Sequence, residues 1–78
     1  MTPASLVDYL ARRLVDEPDA VRVEEVDQNG DLVLRLYVAE SDRGKIIGRN
    51  GRMVRALRTV VRAGGANEDR RVLLEIVE

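Results

Sequence analysis

The sequence predicts an α+β fold: a three-stranded sheet with three helices packed on one face, in the order helix, strand, strand, helix, helix, strand. Three observations predict it. Apolar residues recur at helical spacing near the N-terminus and again after Gly51. Leu32 to Val38 alternates strictly behind an Asn29-Gly30 turn signal, and an apolar run from Val72 to Val77 closes the chain. A length of 78 residues points to one domain, 1–78. Its core must be compact, because a chain of this size buries only a modest share of its surface.

Thr2 before Pro3 reads as an N-cap with proline at the first helical position, and Leu6, Val7, Leu10 and Leu14 form the helix's apolar stripe, which Pro18 should end. Val21 to Gln28 reads as a strand, although the spacing from Val23 to Val26 breaks alternation and suggests a bulge or an early end. Asn29-Gly30 is a two-residue hairpin turn into a strand with Leu32, Leu34, Leu36 and Val38 on one face and Val33, Arg35 and Tyr37 on the other. Ser41 is the expected cap of a short helix with Asp42 in its first turn, stopping near Gly48. The next helix starts close to Gly51 and is closed by Gly64-Gly65. Met53, Val54, Ala56, Leu57, Val60, Val61 and Ala63 fall on one side of it, and Arg52, Arg55, Arg58 and Arg62 on the other. The nearly continuous apolar character of Val72 to Val77 predicts an interior position in the sheet.

Cysteine and histidine are both absent, which removes disulfides, thiolate metal sites and the usual imidazole ligand or base. Gly44-Lys45 is followed by Ile46 where a P-loop needs Ser or Thr, and no G-x-G-x-x-G follows a strand. No catalytic residue, metal ligand or cofactor is assigned, and binding is favoured over turnover. Apolar runs fall far short of the roughly 20 residues that span a bilayer, and no signal-like N-terminus is present, so a soluble, cytoplasmic protein is expected.

The net charge of −1 hides a strong segregation. Arg43 to Arg62 holds seven basic residues and no acidic one, +7, while the rest of the chain sums to −8. A local positive field on an acidic body is what an anion-binding surface requires. The helix-loop-helix connection Gly48-Arg49-Asn50-Gly51 suits a phosphate. Amides at a helix N-terminus and its dipole favour an anion, and glycines permit close approach of a sugar-phosphate chain. The glycines also fit a plain helix cap and turn, and the arginine stripe a solvated face. What favours the binding reading is the lack of acidic partners, since a merely soluble face mixes signs.

Ile46-Ile47-Gly48-Arg49-Asn50-Gly51-Arg52-Met53-Val54, continuing to Leu57, resembles the signature of the K-homology (KH) family: two aliphatics, glycine, two variable residues, glycine, then aliphatics three and six positions later. The element order resembles the bacterial type II KH domain. With Arg52 and Ala56-Leu57-Arg58 after the loop, the chain looks most like the single-domain bacterial KhpA family. The resemblance implies a GXXG loop at 48–51 that clamps unpaired RNA beside a groove for bases. It also implies a dimer with itself or with a KhpB-like protein, and a role as RNA chaperone or post-transcriptional regulator in cell growth and shape. Carried over, Gly48 and Gly51 permit close approach, and Arg49 and Asn50 contact phosphate or sugar. Ile46, Ile47, Val54 and Leu57 divide between core and groove floor, and Lys45, Arg52 and Arg55 extend the positive rim. Neutral Asn50 stands where a basic residue is also common. Arg70 and Arg71 either reach base edges or merely form a polar strand end.

The chain has no Phe or Trp, and Tyr9 and Tyr37 lie outside the predicted groove, which argues against base-stacking platforms. The competing reading is a KH-fold dimerisation module with little RNA affinity of its own. Helices on one sheet face leave the other, with Val33, Tyr37, Leu73 and Val77, as a possible partner surface; the helix after the loop is an equally open route.

Overall fold

The computed structural model describes residues 2–64 and 69–78. Helix α1 (Pro3–Leu14) begins at Thr2, whose side chain accepts the Ser5 amide at 3.1 Å, with proline at the first helical position as expected. It ends at Leu14 with an extended Val15, four residues before Pro18. Pro18 opens a separate single turn, Pro18–Ala20, instead of stopping the helix.

Strand β1 (Arg22–Gln28) and strand β2 (Asp31–Tyr37) form an antiparallel hairpin with unbroken register from Arg22↔Tyr37 to Gln28↔Asp31, so the expected bulge does not occur. Val23 faces the core side opposite Leu36, and Val26 faces the other side against Val33; the two valines serve different faces, which is why they fail to alternate. Asn29 (φ 55°) and Gly30 (φ 88°) supply the two positive φ values that a tight hairpin with the right twist needs.

A single turn over Glu40–Asp42 leads into α2 (Arg43–Ile47), then the loop, α3 (Arg52–Gly64) and β3 (Val72–Ile76). Gly65, expected to close α3 with Gly64, lies outside the described residues. Ser41 does not cap α2; its hydroxyl donates to Glu17. Asp42 stands at the N-cap position without a capping bond to its own helix, because both its carboxylate oxygens accept the amides of Asp16 and Glu17.

The sheet order is β1-β2-β3, with β3 parallel to β2, so β2 is central and β3 lies on an edge. This corrects the interior position expected for the last strand. Its apolar run has two origins: Val72 and Leu74 point into the core, while Leu73, 39% exposed, covers its neighbour Val33 on the outer face. The three helices and the sheet enclose Leu34, Leu36, Ile46, Val7 and Val61 at the centre. Each such side chain contributes roughly 1.5–3 kcal/mol by burial. In α1 the deepest residues are Val7 and Ala11, with Leu10 and Leu14 packed only at the margin.

The outer sheet face is less apolar than its pattern suggests. Arg35 bridges Glu24 and Glu75 across the strands, the Arg22 guanidinium lies 4.0 Å from the Tyr37 ring centroid, and Tyr37 donates to Glu24. Val33 is buried beneath these groups. The more open apolar surface lies instead between α1 and α3, a shallow groove lined by Tyr9, Leu10, Leu14, Met53, Ala56 and Val60.

Candidate nucleic-acid interface

Gly48 ends α2 with its amide on the Gly44 carbonyl at 2.8 Å and then takes φ 76°, ψ 170°, a region open essentially to glycine alone. A Cβ there would sit 2.7 Å from Met53 Cβ and 2.8 Å from Met53 N, so the start of α3 packs directly against the bare backbone. Asn50 (φ 57°, ψ 26°) and Gly51 (φ 73°) continue the left-handed path. Asparagine tolerates that conformation better than most residues, which gives a backbone reason for a neutral side chain at this loop position.

The amides that lead from the loop into α3 are used internally. Gly51 N donates to Gly48 O at 3.1 Å, and Arg52 N to Arg49 O. This differs from the expectation of outward amides at the start of α3, because the connection is wound as one tight turn. Full positive charge is offered to an anion by side chains. Arg49, Asn50 and Arg52 are exposed together at the loop. Arg55, one turn on, donates to Asn50 O at 3.0 Å and to Gly51 O at 3.4 Å, bracing the turn while neutralising its carbonyl dipoles.

The aliphatic positions separate clearly. Ile46 is fully buried and Leu57 joins the main core, Val54 is buried outside that cluster and lies closest to Gly51, and Ile47 is 36% exposed beside the loop. Lys45 points away from the loop. Its ammonium donates to Asp16 in the α1–β1 connection, and that hydrogen bond, opposed by desolvation, holds its pKa above the ordinary lysine value. Arg70 and Arg71 are engaged by Asp27 and Asp31 at the hairpin, at 3.0 and 2.9 Å.

Two stripe arginines with no assigned site role in the sequence prove to flank a cleft. Arg58 and Arg62 of α3 face Arg71, Val72, Leu73 and Leu74 of the β3 edge, with Val61 at its base. Arg58 Nε donates to Leu74 O at 3.3 Å. The signal in the sequence was the drift of the stripe: at 100° per residue Arg58 lies about 60° round the helix from Arg55, toward the last strand.

The αββααβ order, mixed sheet and glycine-bounded helix-loop-helix define a type II KH domain. The KhpA/KhpB KH-domain profile matches residues 4–76, nearly the full chain, and the chain belongs to that family. It is 46% identical over 74 residues to the RNA-binding protein KhpA of Halalkalibacterium halodurans, covering 95% of this chain and 97% of the relative. It is 44% identical over 72 residues to that of Caldanaerobacter subterraneus subsp. tengcongensis, covering 92% and 96%. To that of Aquifex aeolicus it is 44% identical over 73 residues, covering 94% and 92%. These relatives are named for binding RNA, not for a reaction. Among the described residues no helix is long and apolar enough to cross a membrane.

Proposed function

We propose that this chain is a single KH domain that binds single-stranded RNA, with the Gly48–Gly51 loop against the sugar-phosphate backbone and Arg49, Asn50, Arg52 and Arg55 supplying charge and hydrogen bonds. Ile47 and Val54 offer the apolar floor beside the loop, and Ile46 anchors α2 in the core beneath it. The observation that carries this reading is Gly48: its φ/ψ and its contact with Met53 demand glycine at the point where an acid-free, arginine-rich helix begins. Support also comes from the names of the relatives. A domain with this surface acts as a cytoplasmic RNA chaperone or post-transcriptional regulator, and the family resemblance connects that role with growth and cell shape.

The test is the double variant Arg49→Asp, Asn50→Asp, which places like charge against phosphate; aspartate tolerates the left-handed position 50. Binding to single-stranded RNA in a gel shift should fall at least tenfold while the urea midpoint holds. A variant that folds like the parent and binds RNA equally well refutes the clamp.

Pairing with a second copy or with a KhpB-like protein is part of the same reading, because isolated modules of this kind gain from higher effective concentration. The α1/α3 groove is the better surface for it, since its lining is almost wholly apolar while the outer sheet face is occupied by cross-strand ion pairs. Val60→Asp should abolish self-association in sedimentation at tens of micromolar and Leu73→Asp should not. The reverse pattern moves the interface to the sheet.

A further inference from the structure

Arg43 opens α2 with its side chain half-buried. Its Nε is buried without a hydrogen-bond partner, the one such side-chain atom among the described residues. Among the same residues no ion pair reaches its guanidinium, either from Glu40 three positions earlier or from another carboxylate. The acids that the fold gathers at this end of α2 are used elsewhere. Asp42 holds the amides of Asp16 and Glu17, Asp16 pairs with Lys45, and Glu17 accepts from Ser41. A charged group that has given up part of its hydration and gained no partner is costly, and that cost is recovered when a counter-charge arrives from outside.

Direction identifies the counter-charge. At 100° per residue Arg43 lies within about 40° of Ile47 around α2, and Lys45 about 160° from both. Ile47 is the exposed residue beside the loop, so Arg43 stands on the loop side of the helix and Lys45 on the side of Asp16. One turn separates Arg43 from Ile47, about 6 Å along the helix axis. The orphan buried atom is Nε alone. With the stem packed to that depth, the two terminal nitrogens form a pre-set pair of donors, the geometry that matches two oxygens of a phosphate.

We propose that Arg43 holds the RNA phosphate next to the one at the glycine loop, so that the strand continues from the loop along α2 past Ile47. Continuity favours RNA over an acidic protein segment as the occupant. Arg43 begins the acid-free stretch that runs through the loop to Arg62, and Ile47 lies between it and the loop as part of the same apolar floor. With Lys45 turned to Asp16, Arg43 is the cation that α2 contributes to the backbone track. Such a contact fixes register and adds affinity without reading a base.

The inference rests on the single-stranded RNA reading above and deepens it. Its test is Arg43→Leu and Arg43→Lys, followed by urea unfolding and by titration with single-stranded RNAs over a range of salt concentrations. Leucine removes a half-buried charge that has no internal partner, so the urea midpoint should hold or rise. RNA affinity at low salt should nevertheless fall about three- to tenfold, equally for all sequences, and the salt slope should become shallower by up to about 0.7. Lysine keeps the charge without the fork, and should restore the slope while leaving affinity below the parent. A lower midpoint in Arg43→Leu would give Arg43 a partner inside the fold and overturn the proposal. So would unchanged RNA affinity with weaker pairing to a second copy or a KhpB-like protein in sedimentation, which assigns Arg43 to an acidic protein surface. A changed base preference at constant slope overturns it too. Failure of the parent to bind any RNA removes the reading beneath as well, whereas a parent that binds no better than Arg43→Leu removes this inference alone.

Discussion

Asp42 Oδ2 accepts the backbone amide of Glu17 at 3.0 Å, while its other carboxylate oxygen accepts that of Asp16 at 3.1 Å. The side chain is fully buried. One carboxylate thus ties the connection after α1 to the start of the helix that leads into the glycine loop, across 25 residues of sequence. Asp42→Ala leaves two part-buried amides without partners. It should cost about 2–3 kcal/mol, read as a lower urea midpoint at unchanged m-value. A loss below about 0.5 kcal/mol would show that water replaces the carboxylate freely.

Gly48 and Gly51 should differ sharply when replaced by alanine. At Gly48 the new Cβ meets the Met53 backbone at 2.8 Å, and the φ/ψ pair itself excludes side chains. At Gly51 the nearest atom is Val54 Cγ1 at 3.9 Å, and only the positive φ resists. Gly51→Ala should cost about 1–2 kcal/mol and Gly48→Ala clearly more, with RNA binding lost in the latter. Equal costs in urea unfolding would mean that the approach of Met53 adds nothing.

These contacts mark where the sequence was legible. The hairpin at Asn29-Gly30, the Thr2 cap, the arginine face of α3 and the glycine-bounded loop all rest on local rules, and local rules suffice to read them. Asp42 was read as a dipole-favouring residue of its own helix because its true partners lie far away in the chain. The edge position of β3 was equally hidden: an apolar run records burial, and Leu73 is apolar because it covers Val33 across the strands, not because a further strand flanks it. Lys45 was expected on the rim because its neighbours are there, yet on a five-residue helix one step of phase turns a side chain toward a different element, here Asp16.

The Lys45–Asp16 pair has its own consequence. The Asp16 hydrogen bond raises the lysine pKa, so the stabilisation it gives is fully present below the ordinary lysine value and is lost only as pH rises through the higher folded value. Lys45 therefore keeps its charge across about pH 6 to 9, and RNA affinity should be flat there as far as this residue is concerned. Asp16→Asn releases the ammonium and removes a nearby negative charge. Affinity for single-stranded RNA at low salt should rise about two- to fivefold and the salt slope should steepen by up to about 0.7. Unchanged affinity and slope would remove Lys45 from the backbone track.

Arg55 separates charge from architecture at the loop. If Arg49, Arg52 and Arg55 together neutralise about three phosphates, log affinity falls with log salt at a slope of roughly −2. Arg55 also donates to Asn50 O and Gly51 O, so removing it frees two loop carbonyls as well as deleting a charge. Arg55→Ala should make the slope shallower by something under one unit and weaken binding to all sequences alike, since a phosphate contact carries no base information. Arg55→Lys restores the charge but cannot span both carbonyls with a planar fork. It should recover the slope while leaving affinity below the parent at every salt concentration. Full recovery of affinity by lysine would reduce Arg55 to a point charge, and a changed base preference at constant slope would take it off the backbone altogether.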